Sequence, residues 1–198
     1  MVDLETMGTR PGSVICSIGA VAFDPVNGVM GSRFYRVIDQ ASCEAAGLTK
    51  DPATVEWWSR QSEEAREALA RDPRPLFNVL IEFASWWRDV GGVELWAHGA
   101  NFDEVLLSAA HRAVHVPVLW DFWNVRCTRT LYAAAGVKPD RAKGVHHNAL
   151  TDAENQAEAV CRAYRILGLA RRSGPAAILH AIARRIVDGR AEAMTDGR

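Results

Sequence analysis

The sequence predicts an α/β domain in which a mixed central β-sheet is flanked by α-helices. Three observations lead there. Two apolar runs near the N-terminus have the length and branched content of strands. Helical periodicity takes over from about residue 52, and short apolar runs separate the later helices. A chain of 198 residues and 21.8 kDa is long enough for one domain with a real core and too short for two.

Each element has a local reason. Met1–Glu5 reads as a short strand and Val14–Phe23, rich in Ile, Val and Phe, as a buried one. Asp24-Pro25-Val26-Asn27-Gly28 has the composition of a turn, so the next strand, Ser32–Ile38, completes a hairpin. Pro52–Ala70 reads as a helix with proline in its first turn, and Pro75–Val90 as a second. Val93–Ala97 is a short strand. Asn101 is placed to cap a helix reaching about Val114, with Leu106, Leu107 and Ala110 on one face. Trp120–Val125 reads as a strand and Thr128–Ala135 as a helix. From Ala149 to Leu167 the apolar positions Ala153, Ala157, Val160, Cys161, Tyr164 and Leu167 keep helical spacing. A last helix, Pro175–Val187, precedes a polar tail, so residues 1–168 are expected to form the domain and 169–198 a C-terminal helix and tail.

Composition narrows the function. With 48% hydrophobic and 24% charged residues the chain is not disordered, collagen-like or a coiled coil. The net charge of −1 provides no overall basic field, so any nucleic-acid binding would have to come from a local site. Cys16, Cys43, Cys127 and Cys161 form no C-x-x-C pair, which fits reduced thiols. Acids stand where a signal peptide needs a basic start, and the longest apolar stretch is half a membrane span. The expectation is a soluble cytoplasmic protein with no membrane partner.

Three segments carry candidate chemistry. Asp3 and Glu5 stand two apart on a strand, so their carboxylates point the same way. Like charges side by side repel and drive up a pKa, a conflict that a divalent cation removes. In Trp96-Ala97-His98-Gly99-Ala100-Asn101-Phe102-Asp103 a strand runs through a turn into a helix that Asp103 opens. Alone, Asp103 is an ordinary first-turn acid favoured by the helix dipole. In His146-His147-Asn148-Ala149-Leu150-Thr151-Asp152 a histidine precedes a helix with an acid one turn inside. Spacing favours His147 over His146.

In this order the three segments resemble the DEDDh family of 3′→5′ exonucleases, which have the ribonuclease-H-like fold. The likeness covers roughly residues 1–168. It is greatest to the small single-domain exoribonucleases related to ribonuclease T, with Ile18–Asp24, Thr54–Trp58 and Arg129-Thr130-Leu131 adding to it. Two residues precede Asp3, fewer than is usual there, so either the first strand is short or the true start lies upstream.

The resemblance implies that Asp3, Glu5, Asp103 and Asp152 hold two divalent ions, Mg²⁺ or Mn²⁺, around a scissile phosphate. It implies that His147 is the general base, a task suited to an imidazole, which titrates near pH 6.5. The substrate would be nucleic acid with a free 3′ end, RNA favoured over DNA, and the products nucleoside 5′-monophosphates. A DNA exonuclease and a silent nucleic-acid-binding module are the alternatives. Thr6, Met7 and Gly8 resemble residues lining a terminal-nucleotide pocket, where Met7 offers a soft apolar surface and Gly8 admits a sugar. Phe102, Trp57 and Trp58 are candidate stacking platforms, with Gln61 one turn on. Neighbours on a helix diverge by about 100°, so at most one of the two tryptophans is expected to face the site. Trp86 and Trp87 are expected in the core, and His98 as a satisfied turn histidine. Arg171, Arg172, Arg184 and Arg185 form a late basic patch read as a solvated or dimer-facing helix. Related exonucleases often pair, so a homodimer is expected.

Overall fold

The structure, a computed structural model, describes residues 1–99, 101–140 and 147–169. Five strands form one mixed sheet in the order β3-β2-β1-β4-β5: β1 (Val2–Thr6), β2 (Ile15–Asp24), β3 (Val29–Val37), β4 (Leu95–Ala97) and β5 (Val125–Cys127). β1 pairs antiparallel with β2 and β2 with β3, whereas β1 with β4 and β4 with β5 are parallel. The helices are α1 (Gln40–Ala45), α2 (Pro52–Ser59), α3 (Glu63–Ala68), α4 (Leu76–Asp89), α5 (Asp103–Ala113), α6 (Thr128–Ala135) and α7 (Ala149–Ile166).

Side-chain alternation along the strands sets the layers. Val2 and Leu4 of β1, with Ile18, Ala20 and Phe34, form a core with Val79, Leu80 and Phe83 of α4 and Leu106, Leu107 and Ala110 of α5. On the other face Met1, Val21 and Trp96 pack with Tyr132 of α6 and Ala153, Ala157 and Val160 of α7. Asp3 and Glu5 have the parity of Met1 and so face the α7 side.

Among the described residues the expected strands and helices are present with shifted ends, and four details differ. The single helix expected over Pro52–Ala70 is two, because the Ser62 hydroxyl accepts from Ala65 N and starts a new helix. The strand expected over Trp120–Val125 begins only at Val125. Phe122–Asn124 makes a 3₁₀ turn, and β5 forms where β4 offers partners, Leu95 opposite Val125 and Ala97 opposite Cys127. Asn101 caps nothing: Phe102 occupies the N-cap of α5 without a side-chain bond. Helix α1, capped by Asp39, adds to the sequence reading. The helix expected over Pro175–Val187 and the four late arginines lie outside the described residues. No helix among the described residues is long and apolar enough to cross a membrane.

Candidate active site

The site lies where β1 ends beside the first turns of α5 and α7. Its position depends on Gly19 of β2. A Cβ there would lie 2.1 Å from the backbone of Ala149 and Leu150, so only glycine lets the start of α7 rest on the sheet. Asn148 caps that helix by accepting from Thr151 N, which fixes Asp152 in the first turn. Asp3, Glu5 and Asp152 consequently present carboxylate oxygens within 4.8 Å of one another.

These acids line a cavity of about 440 Å³ shared with Asp103, His147, Phe102, His98 and Arg129. Asp103 is 2% exposed and stands outside the tight group of three, with its Oδ1 accepting from Leu4 N at 3.2 Å. Burial, reinforced by Asp103, Glu5 and Asp152, drives the Asp3 carboxyl well above the usual range. A hydrogen bond from Gln156 Nε2, at 2.7 Å, opposes this. Glu5 is pushed up to about 8 by burial and then by Asp152 and Asp103. Asp103 reaches only about 6, because backbone N–H groups, Leu4's among them, and Arg129 offset its burial. Gln156 Oε1 is buried without a hydrogen-bond partner among the described residues. Crowded hard oxygens in a low-dielectric cavity are held either by protons or by a hard divalent cation, and the donor set fits Mg²⁺ or Mn²⁺.

His147 adopts φ +60°, a left-handed conformation that a histidine enters at some cost. Its imidazole lies edge-on to Trp57 at 4.9 Å between centroids and to Trp58 at 6.0 Å. His146 lies outside the described residues.

A second cavity, of about 410 Å³, adjoins the first at Leu4, Glu5 and Phe102 and is lined also by Thr6, Thr54, Trp57 and Trp58. Both tryptophans reach it, against the expectation that only one would. Their rings stand 5.2 Å apart at 83°, and an indole is wide enough to overcome the angular offset. Trp57 forms an exposed rim, whereas Trp58 is buried and donates Nε1–H to Thr6 O at 2.9 Å. Met7 and Gly8 line neither cavity. Met7 lies in a separate hollow with Trp58 and Leu69, and Gly8 packs where a Cβ would meet Ser13 Oγ at 2.4 Å. Gln61 lies past the end of α2 and is bound back to it, donating Nε2–H to Trp57 O.

Three contributors were not singled out from sequence. Asn155 and Gln156 follow Asp152 by three and four positions, so the helical period could have found them. Arg129 follows β5 and needed the sheet order to be placed. His98, expected to be satisfied in its turn, bonds Thr128 Oγ1 at 2.9 Å and also lines the acidic cavity.

Comparison with known proteins agrees with this geometry. A family model described as the 3′→5′ exoribonuclease Rv2179c-like domain matches residues 1–164. An exodeoxyribonuclease of Enterobacteria phage T4 is 24% identical over 123 residues, covering 54% of this chain and 52% of the relative. The chain thus spans about half the length of that curated relative. The family match runs from β1 nearly to the end of α7 and includes every element that carries a cavity acid. The chain therefore belongs to the Rv2179c-like family of 3′→5′ exonuclease domains.

Proposed function

We propose that the protein is a metal-dependent 3′→5′ exoribonuclease. It would remove nucleoside 5′-monophosphates from 3′ ends of single-stranded RNA or 3′ overhangs, on a ribonuclease-H-like domain spanning residues 1–168. The observation that carries this reading is the crowded trio Asp3, Glu5 and Asp152, whose repulsion hard cations relieve. With Asp103 they would hold two Mg²⁺ or Mn²⁺ ions, which supply charge stabilisation at the attacking and leaving oxygens of an in-line displacement.

The chain's own groups do the rest. His147, lining the acidic cavity, takes the proton of the attacking water. Gln156 orients the Asp3 carboxylate through its 2.7 Å hydrogen bond. The second cavity receives the terminal nucleoside, its base against Trp57 and Phe102 with Trp58 behind. Thr6 forms part of that wall, and its hydroxyl is tied to Gly8 O, so Met7 and Gly8 would act by shaping the turn.

A DNA substrate is the second reading, favoured by the name of the phage T4 relative. The test is hydrolysis of 5′-labelled single-stranded RNA and DNA with Mg²⁺, Mn²⁺ or EDTA, beside Asp152→Asn. A metal-dependent ladder shortening from the 3′ end and absent in the variant is expected, and the faster polymer identifies the sugar. Binding without hydrolysis would replace the proposal with a silent nucleic-acid-binding module. Gel filtration of the same samples tests the expected homodimer.

A further inference from the structure

A third cavity, of about 260 Å³, lies across the start of α7 from the acids. It is lined by Tyr35 and Arg36 of β3, by Arg71, Asp72 and Arg74 beyond α3, and by Asn148. Strand register fixes its place. Asp3 pairs with Gly19 and Gly19 with Tyr35, while Glu5 pairs with Ser17 and Ser17 with Val37. Two strand spacings put the cavity edge about 10 Å from the acids, with the first turn of α7 over Gly19 between them.

Its charge is positive. Arg36 and Arg74 share Glu82, and Arg74 also meets Asp72 at 3.4 Å. Arg71 forms no ion pair with another described residue. Three guanidinium groups therefore face two carboxylates. The N-terminus of the 18-residue helix α7 adds positive potential beside them. The Tyr35 hydroxyl is buried at this cavity, beside the polar side chains of Ser17 and Asn148.

We infer that this cavity is a phosphate-binding subsite, with Arg71 as its principal ligand, that holds a backbone phosphate of the bound polynucleotide away from the reacting bond. The inference rests on the exonuclease reading. A dinucleotide has one internal phosphate, which the reacting bond occupies, so a subsite about 10 Å away must be met by a further phosphate of a longer strand. A dinucleotide therefore cannot fill both sites, whereas a ten-nucleotide strand can. A free phosphate or nucleotide has the same chemistry and is the other source of the ligand.

The experiment measures anisotropy of labelled dinucleotide and ten-nucleotide strands on the full chain carrying Asp152→Asn, with and without Arg71→Ala. Arg88→Ala, which removes an exposed arginine at the end of α4, controls for net charge. Arg71→Ala should weaken the ten-nucleotide strand about tenfold more than the dinucleotide. It should also lower the salt slope by about 0.7, the value for one lost single-strand phosphate contact. Arg88→Ala should do neither. Equal losses at both lengths, or none, overturn the polynucleotide assignment. A parallel thermal shift compares sodium phosphate with sodium chloride at equal ionic strength. Phosphate stabilisation lost in Arg71→Ala, with strand affinity unchanged, reassigns the subsite to free phosphate. No change in either arm overturns the subsite altogether. If the protein with Asp152 intact hydrolyses no polynucleotide, the exonuclease reading fails while the phosphate arm still decides this cavity.

Discussion

The two cavities that meet at Glu5 use burial in opposite ways. The acidic one removes carboxylates from water and gathers them against each other, which raises the pKa of Asp3 and Glu5 and costs stability. The aromatic one removes Trp58 from water and satisfies its N–H on Thr6 O, which adds stability. One wall is finished only by a ligand, whereas the other is finished by the chain itself. Substitutions should therefore separate activity from stability in opposite directions on the two sides of Glu5.

The largest separation is expected at Asp152. Asp152→Asn should bring hydrolysis to the level of a blank while the metal-free protein melts no lower than the original, because a repelling charge is gone. A lower Tm would mean that Asp152 supports the fold, and retained hydrolysis would remove it from the metal set. His147→Ala comes next, with kcat falling about 10²–10⁴-fold. Isothermal titration should find Mg²⁺ affinity little changed, and a large loss of affinity would make His147 a ligand.

On the aromatic side Trp58→Ala should cost about 3–5 kcal/mol in denaturant unfolding, as expected for a buried aromatic. Trp57→Ala, at the 41% exposed rim, should leave the denaturation midpoint nearly unmoved. It should raise KM roughly tenfold, within the 1–3 kcal/mol of a lost stacking contact. If Trp57→Ala proved the more destabilising of the two, the comparison would fail.

The smallest effect is on pH dependence. A carboxyl whose pKa is raised on folding binds its proton more tightly in the folded state, so its contribution falls as pH rises between the two values. For Glu5 the window runs from its ordinary 4.5 to about 8. The Tm of metal-free protein should decline across that window more steeply than that of Glu5→Gln. Saturating Mg²⁺ should flatten the decline by binding only the folded state. Equal slopes for the two proteins would show that Glu5 is not crowded.

Much of the site follows from local rules visible in the chain. The period of two in β1 puts Asp3 and Glu5 on one face, and Asn148 with the helical spacing after it puts Asp152 in a first turn. The break of Pro52–Ala70 at Ser62 is also written locally, in the serine that caps α3. The failures came where an element answers to a distant neighbour. β5 starts at Val125 because β4 is there to pair with it, while the adjacent Phe122 and Trp123, apolar enough for a strand, stay exposed.

By itself, the sequence determined which residues carry charge or rings and which of them share a face, because periodicity is a property of consecutive dihedral angles. Tertiary structure alone decided how far those faces stand from one another. It placed α7 against Gly19, turned Asp103 onto the Leu4 amide and aimed both tryptophans at His147. It also set three arginines across the helix from the acids. The physical reason is that burial, close backbone approach and electrostatic crowding depend on the distance between segments far apart in the chain, and no local pattern encodes that distance.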